Sequence, residues 1–209
     1  MRKLTLFLLL FCSAIAYSQA SEVKRFTFEK EKQHKTPILY LGPGSGLYTY
    51  TGLVGFMAEV PIIPHFTVFA GGGLGGWGYK LGGGALFYLH KDDYLGSAFG
   101  VGVSNAFGID NFETSSFSLE GNNGETSYVV LDLYNAPSLN LSYQYHIKMG
   151  TAGKFVIGTG YAFPMVDSPY KLVDPVNAEL DLTSKRALQI QQPSGLIISV
   201  ACQFAIGSR

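Results

Sequence analysis

The feature of this sequence that most restricts its fold is an alternation of residue types near the C-terminus, to which Ile197 is the exception. Between Leu196 and Ile206 every second residue is apolar, and Ser199, Ala201 and Gln203 occupy positions between them. A period of two residues is typical of a β-strand whose two faces meet different surroundings. This segment therefore predicts a strand with one apolar face and one face of small or polar residues.

The same alternation recurs upstream, where turn residues divide it into segments. We predict eight strands, most of them near the roughly 9–11 residues that cross a bilayer. The predicted strands are 38–47, 51–60, 65–75, 79–89, 94–106, 128–145, 154–164 and 195–206. In the sixth of these, the apolar face includes Leu131, Leu133, Leu139 and Leu141. An all-β chain with an even number of such strands predicts an eight-stranded antiparallel barrel.

The composition favours an apolar outer face and a polar interior. Only 14% of the residues are charged, against about 25% in typical soluble domains. The polar face of the strands carries mostly Gly, Ala, Ser, Asn and Gln, whereas a solvated face would carry Lys and Glu. We therefore predict a transmembrane barrel whose apolar face contacts lipid. The alternative is a soluble β-sandwich or lipocalin-like barrel, in which the apolar face points inward.

Aromatic residues near the strand ends suggest two interfacial girdles. Those at one end are Tyr48, Tyr50, Trp77, Tyr79, Phe107, Tyr128 and Phe163. Those at the other end are Phe66, Tyr88, Tyr94, Tyr143, Tyr145 and Phe155.

The connections between the strands sort by length. Counting strands alternately puts the short turns at 61–64, 90–93 and 146–153 at one end of the barrel. The long segments 107–127 and 165–194 then lie at the other end, which is the habit of outer-membrane barrels. We expect these segments to face the cell exterior, and Asp92 and Thr151 to face the periplasm. Within the second segment, Ala178 to Ile190 suits a short helix or a hairpin extension.

The N-terminus has the order of features of a secretory signal peptide. Arg2 and Lys3 precede an apolar stretch up to Ile15, and small residues follow before Gln19. We expect a signal peptide at 1–18, a flexible polar tail at 19–37 and an outer-membrane barrel at 38–209. Cys202 is then the only cysteine of the mature chain, so no disulfide within the monomer is expected.

Charged and amide side chains within the strands predict a polar network in the lumen. Charges at membrane depth normally face the interior. The network residues are Glu59, Lys80, Asp132, Asn140, Gln144 and Lys154. A catalytic carboxylate among them is the less favoured interpretation.

Other motifs give no specific chemistry. The glycines at 71, 73 and 76 fit a dinucleotide-binding spacing, but no helix pattern follows them, so we interpret them as a glycine-rich hairpin. His65, His90 and His146 fall near the short turns. We interpret them as ordinary turn residues, and the alternative is that they bind a metal ion at this end of the barrel. We therefore expect no catalytic, cofactor or metal site, and a net charge of +0 gives no case for binding nucleic acid.

The alternation, the signal pattern and the aromatic Phe204 in the last strand carry a family resemblance. From Ile38 to Ile206 the chain resembles the small eight-stranded outer-membrane β-barrel superfamily, although five residues follow Phe204. The resemblance implies outer-membrane lipids and lipopolysaccharide as surroundings and the barrel-assembly machinery as a partner. Its members include adhesins, anchors, conduits and lipid-modifying enzymes, so it implies location and fold but no activity.

The expected function is accordingly non-enzymatic: membrane structure, surface interaction with an unidentified surface or periplasmic protein, or passage of a small molecule. Passage is the weakest of the three because eight strands leave little lumen. The alternatives are a lipid-modifying outer-membrane enzyme and a soluble periplasmic ligand-binding barrel.

Overall fold

The structure is a computed structural model that describes five ranges of the chain. These ranges are 37–90, 94–121, 125–150, 152–176 and 178–207. The predicted signal peptide at 1–18 and residues 19–36 of the predicted tail lie outside them, as do Asp92 and Thr151 in two short turns. Over the described ranges, no helix is both long enough and apolar enough to cross a membrane.

The described chain contains eleven strands and one helix. They are β1 (Leu39–Leu47), β2 (Val54–Ile63), β3 (Phe66–Gly75), β4 (Gly78–Tyr88), β5 (Gly96–Ala106), β6 (Phe112–Ser118), β7 (Thr126–Leu133), β8 (Ala136–Met149), β9 (Gly153–Pro164), β10 (Tyr170–Asp174), α1 (Leu182–Gln191) and β11 (Gly195–Ile206).

Eight of these strands close into an antiparallel barrel, which confirms the predicted strand number and barrel closure. Around the barrel the order is β1-β2-β3-β4-β5-β8-β9-β11, and each neighbouring pair is antiparallel. The first and last strands join directly, with Leu39 opposite Ile206. No barrel strand therefore has a free edge.

The other three strands form a separate sheet beside one end of the barrel. Its order is β10-β7-β6, and we call this sheet together with α1 the cap. Leu131 and Leu133 on β7 pack in a buried apolar cluster with Leu188 of α1 and with Trp77. The backbone N–H of Ser118 donates to the hydroxyl of Ser184 on α1 at 2.8 Å, which joins the helix to β6.

The cap corrects the prediction for the sixth strand. The predicted strand 128–145 is two strands, β7 in the cap and β8 in the barrel, separated by Tyr134 and Asn135. Leu131 and Leu133 are therefore buried in the cap, whereas Leu139 and Leu141 lie on the outer face of the barrel. The segments at 107–127 and 165–194 are not plain loops, since they contain β6, β10 and α1, and the short helix predicted within 178–190 is present.

The predicted sorting of connections between the two ends is confirmed. The connections β2–β3, β4–β5 and β8–β9 lie at what we call the turn end. The cap lies at the opposite end, the cap end, with the β1–β2 and β3–β4 connections. The β2–β3 turn needs only Pro64 and His65, and His65 adopts a left-handed φ of 73°.

The barrel is apolar outside and largely polar inside. On β11, Leu196, Ile198 and Val200 are exposed, whereas Gln203 is fully buried. The same pattern runs around the barrel, with Phe56 65% exposed and Leu141 47% exposed. The buried polar residues within the barrel strands are Glu59, Thr67, Lys80, Ser97, Ser104, Ser138, Asn140, Ser142, Gln144, His146, Lys154 and Gln203.

Glycine allows the strands of this narrow barrel to approach closely. Gly84 on β4 lies opposite Gly102 on β5, and a Cβ at either position would collide with the backbone of the neighbouring strand. The glycine-rich segment 71–84 is a hairpin of β3 and β4, as the sequence interpretation holds.

The predicted aromatic bands are correct only in part. Tyr79, Phe163 and Tyr145 are exposed on the outer face near the two ends. Four other members point inward or pack under the cap: Tyr50, Trp77, Tyr88 and Tyr94 are buried. Tyr128 lies on β7 in the cap. Strand ends alone do not fix the face on which an aromatic residue lies.

Candidate functional site

A buried charged pair crosses the barrel interior near the turn end. Lys154 Nζ on β9 lies 2.8 Å from Glu59 Oε2 on β2. Tyr88 on β4 joins both groups, since its hydroxyl donates to Glu59 Oε1 at 2.7 Å and accepts from Lys154 Nζ at 3.0 Å. Hydrogen bonds between side chains therefore tie three strands together across the lumen.

Aromatic side chains surround this pair. Lys154 Nζ lies 3.9 Å from the centroid of the Tyr40 ring, a distance at which a cation is attracted to the ring face. The His146 Nδ1 atom lies 3.2 Å from the Tyr88 hydroxyl, and the Tyr94 ring meets the Tyr88 ring edge-on at 5.6 Å. We call this group the turn-end cluster. Its members are Tyr40, Glu59, Tyr88, Tyr94, His146 and Lys154.

Both members of the pair are removed from solvent. The side chain of Glu59 is 0% exposed and that of Lys154 is 1% exposed. Taking two charges out of water costs several kcal/mol per ion, and only close, hydrogen-bonded geometry offsets that cost. The Tyr88 hydroxyl and the Tyr40 ring supply part of this compensation. The cluster is thus a fixed polar plug.

A second polar layer fills the middle of the barrel. The Ser104 and Ser138 hydroxyls lie 2.9 Å apart, and Asn140 Nδ2 donates to Ser104 Oγ at 2.8 Å. Tyr50 reaches into the lumen from the β1–β2 connection, and its hydroxyl donates to the carbonyl of Asn140 at 3.4 Å. Asn140 is fully buried, so this layer continues the obstruction above the turn-end cluster.

Little space is left between these layers. A cavity lined by Gln144, Tyr50, Met57 and Ile197 has a volume of about 30 Å³, which is room for about two or three water molecules at most. Gln144 Oε1 and both amide atoms of Gln203 are buried without a hydrogen-bond partner in the described part of the chain. The arrangement suits an occasional ordered water, not a column of water or a solute.

The structure brings four of the six predicted network residues into these layers. Glu59 and Lys154 contact each other, and Asn140 and Gln144 lie in the interior between that pair and the cap end. Lys80 is also buried, but it begins β4 at the cap end, and its Nζ donates to the carbonyl of Tyr48 at 3.2 Å. It belongs to a different environment from Lys154.

The prediction for Asp132 is wrong. Asp132 lies on β7, so it is part of the cap and not of the lumen. Its Oδ1 accepts from the backbone N–H of Asn111 at 3.0 Å, which joins β7 to the turn before β6 within the cap region. The alternation continues from β7 into β8, and for that reason the sequence pattern assigned this carboxylate to the barrel.

Sequence reasoning missed the aromatic half of the turn-end cluster. Tyr88 and Tyr94 were assigned to a girdle, and His146 to a turn. The available signal is parity: Tyr88 and Leu86 share the inward face of β4, and His146 shares the inward face of β8 with Asn140 and Gln144. An inward aromatic beside an inward charge predicts a hydroxyl or ring contact.

The acidic and basic side chains that the structure describes in these layers of the lumen, Glu59, His146 and Lys154, are all buried. The recorded side-chain partner of His146 is the Tyr88 hydroxyl, and His65 Nδ1 lies 2.8 Å from the backbone carbonyl of Tyr88. Over the described ranges, no group of three or more His, Cys, Asp or Glu side chains is placed to hold a metal ion.

Comparisons with known proteins add no family. No protein-family model matches the sequence, and no curated protein matches it.

Proposed function

We propose that this chain is an integral outer-membrane β-barrel with a non-enzymatic role, in which a plugged barrel anchors the cap at the cell surface. The observation that carries the proposal is the inverted distribution of residues, with apolar side chains outside and polar or charged side chains inside. Soluble barrels have the opposite arrangement.

The size of the apolar outer face supports a lipid environment. Exposed Leu, Ile, Val, Phe and Tyr residues occur on all eight barrel strands. Monomeric soluble proteins rarely expose contiguous apolar patches larger than a few hundred Å². On this proposal, lipids and lipopolysaccharide of the outer membrane cover that face, and the barrel-assembly machinery inserts the chain.

The filled lumen argues against passage of small molecules. The Glu59–Lys154 pair, the serine–asparagine layer and a cavity of about 30 Å³ leave no wide path through the described barrel. Membrane structure and surface interaction therefore remain as the favoured roles.

The cap is the element suited to surface interaction. Binding residues are commonly carried by irregular segments on a rigid scaffold. Val176, Leu182 and Ile190 are exposed apolar residues within or beside the cap, at the end of the barrel where we place the cell exterior. An unidentified protein at the surface is the partner class that fits these residues.

Membrane fractionation tests the proposal. Cells producing the protein are lysed, membranes are washed with alkaline carbonate, and inner and outer membranes are separated. We expect the chain in the washed outer membrane, with different gel mobility before and after boiling because a closed barrel resists detergent until heated. Recovery in the soluble periplasm would instead support the lipocalin-like alternative.

A further inference from the structure

A second cavity lies at the cap end, outside the polar plug. It has a volume of about 270 Å³ and lies where the β1–β2 connection, the β3–β4 turn and the end of α1 meet. Its lining is mostly apolar and includes Leu53, Trp77, Ile190 and Pro193. One charged side chain, Lys80, belongs to this lining.

Lys80 is a buried cation that has no carboxylate partner among the described residues. It is 2% exposed, and its Nζ donates to the carbonyl of Tyr48. The ion pairs among the described residues join Lys154 to Glu59 and Lys185 to Glu179, so Lys80 takes part in neither. Burying an ammonium group without a counter-charge is costly. Lys154 has a carboxylate, whereas the Lys80 ammonium group lacks a counter-charge from the described residues and borders a cavity that can hold one.

Two uncharged polar residues, Tyr48 and Gln191, also border the cavity. The Tyr48 hydroxyl donates to the carbonyl of Ile190 in the last turn of α1. Negative partial charge at this helix end is thereby reduced, and the ammonium group of Lys80 is the charged feature of the cavity.

We propose that this cavity binds a small amphiphilic monocarboxylate, with the carboxylate on Lys80 and the apolar body against Trp77, Leu53 and Ile190. One negative charge neutralises one buried ammonium group, whereas a phosphate monoester would bring a second charge into an apolar site. The volume is just below the usual range for drug-sized ligands, which favours a short chain or a single ring. This site goes beyond the proposed membrane role.

The chain carries its own reporter for the site. Trp77 is the single tryptophan of the sequence and lines the cavity. Bromine quenches indole fluorescence at contact distance. Purified full-length protein folded in phospholipid vesicles is therefore titrated with octanoate carrying bromine on its last carbon, and the alcohol of the same length and bromine position is the neutral comparison.

We expect saturable quenching by the carboxylate in the parent protein. Lys80→Met should weaken binding at least tenfold, and the bromo-alcohol should bind the parent at least tenfold more weakly than the carboxylate does. Lys185→Met, which removes an exposed lysine from α1, should bind as the parent does. Equal quenching of the parent and Lys80→Met, or equal binding of alcohol and carboxylate, would overturn the proposal.

A second variant keeps the test decisive if Lys80→Met does not fold. Gly76 lines the cavity, and a Cβ added there would meet no atom within 4 Å. Gly76→Leu should fold, judged by heat-dependent gel mobility, and should weaken carboxylate binding at least tenfold while Lys80 remains. Parent-like binding by folded Gly76→Leu would place the ligand elsewhere and contradict the proposal.

Discussion

Lys154 can occupy the barrel interior because Glu59, Tyr88 and Tyr40 all lie within contact distance of its ammonium group. Its position on β9 follows from strand parity alone. Its stability in that position depends on three other strands, β1, β2 and β4, which bring those partners together. The cost of burying the charge of Lys154 is thus compensated by residues that are distant in the sequence.

The losses from removing the two members of the buried pair should therefore not be additive. Glu59→Gln leaves a buried ammonium group and Lys154→Met leaves a buried carboxylate, and each should lower the free energy of unfolding by about 3–5 kcal/mol. The double variant should lose clearly less than the sum of the two single losses. Urea unfolding in lipid vesicles, followed by tryptophan fluorescence, measures all four proteins. Strictly additive losses would show that the pair is not coupled.

The outer face makes a different prediction at the residue scale. Leu141, near the middle of β8, faces lipid on our proposal, so Leu141→Arg should cost roughly 2–4 kcal/mol in a bilayer. Leu182→Arg is the matched control, since Leu182 is 65% exposed on α1 in the cap. Leu182→Arg should assemble like the parent, and Leu141→Arg should reduce the folded fraction in membranes. Equal tolerance at the two sites would favour a soluble barrel.

At the scale of elements, the barrel strands were predictable, whereas of the cap only the helix was one of the two predicted alternatives. The strands at 38–47, 65–75 and 195–206 agree with β1, β3 and β11 to within about a residue, because one apolar face repeated every two residues fixes both element and face. The same signal misassigned β7, since Leu131 and Leu133 are apolar for burial under α1, not for contact with lipid. The predicted strand 128–145 is longer than one bilayer crossing requires, and this length indicates two strands.

Residues of the barrel interior were predictable, but the contacts between them were not. Alternation and charge identified Glu59 and Lys154, but no local pattern shows that β2 and β9 approach each other across the lumen. Nor does it show that Tyr88 lies between them. Those contacts depend on barrel closure and on the inward packing of aromatic rings, which are tertiary properties.

The N-terminus of α1 is stabilised by the side chain of Asp181, and this contribution can be tested. Asp181 Oδ1 accepts from the backbone N–H of Ser184 at 2.6 Å. Hydrogen bonds from the side-chain hydroxyl of Ser184 and from its backbone N–H lower the pKa of the Asp181 carboxyl below its ordinary value of 3.8. The stabilisation is therefore complete at neutral pH and is lost as the pH falls below 3.8 through the lowered pKa of the folded state.

We expect Asp181→Ala to increase hydrogen exchange of the α1 amides several-fold at pH 7, because an N-cap interaction is lost. Asp181→Asn should retain most of the protection, and barrel amides should be unchanged in both variants. Faster exchange throughout the barrel would mean that the cap and the barrel unfold together.

At the scale of the whole molecule, the cap and the short turns occupy opposite ends of one closed barrel. If the barrel crosses the outer membrane as proposed, one end faces the medium and the other faces the periplasm. The segment lengths assign the cap to the outside, since outer-membrane barrels have short periplasmic turns and longer external loops.

Cysteine labelling tests this orientation. In a Cys202→Ser background, Thr183→Cys on α1 and His90→Cys at the turn end replace two exposed residues. A membrane-impermeant thiol reagent applied to intact cells should label position 183 and not position 90. After the outer membrane is permeabilised, both should react, and that control shows that position 90 is accessible. Labelling of position 90 alone in intact cells would show that the turn end, and not the cap, faces the medium.

The plugged lumen predicts an electrically silent barrel. Purified protein inserted into planar bilayers should give no steady conductance, because the Glu59–Lys154 pair and the Asn140 layer obstruct the interior. A porin of known conductance in the same bilayers serves as the positive control. Stable, ohmic channels from the parent protein would show that the interior opens.

The direct pairing of β1 with β11 also dictates when the fold can exist. Leu39 cannot meet Ile206 until the ribosome has made all eight barrel strands, so the strands made earlier have an unpaired edge until then. Such edges readily join those of other molecules. Successful biogenesis thus depends on keeping a finished but unfolded polypeptide soluble, and a chain that stops before β11 would be a source of aggregates and not a smaller barrel.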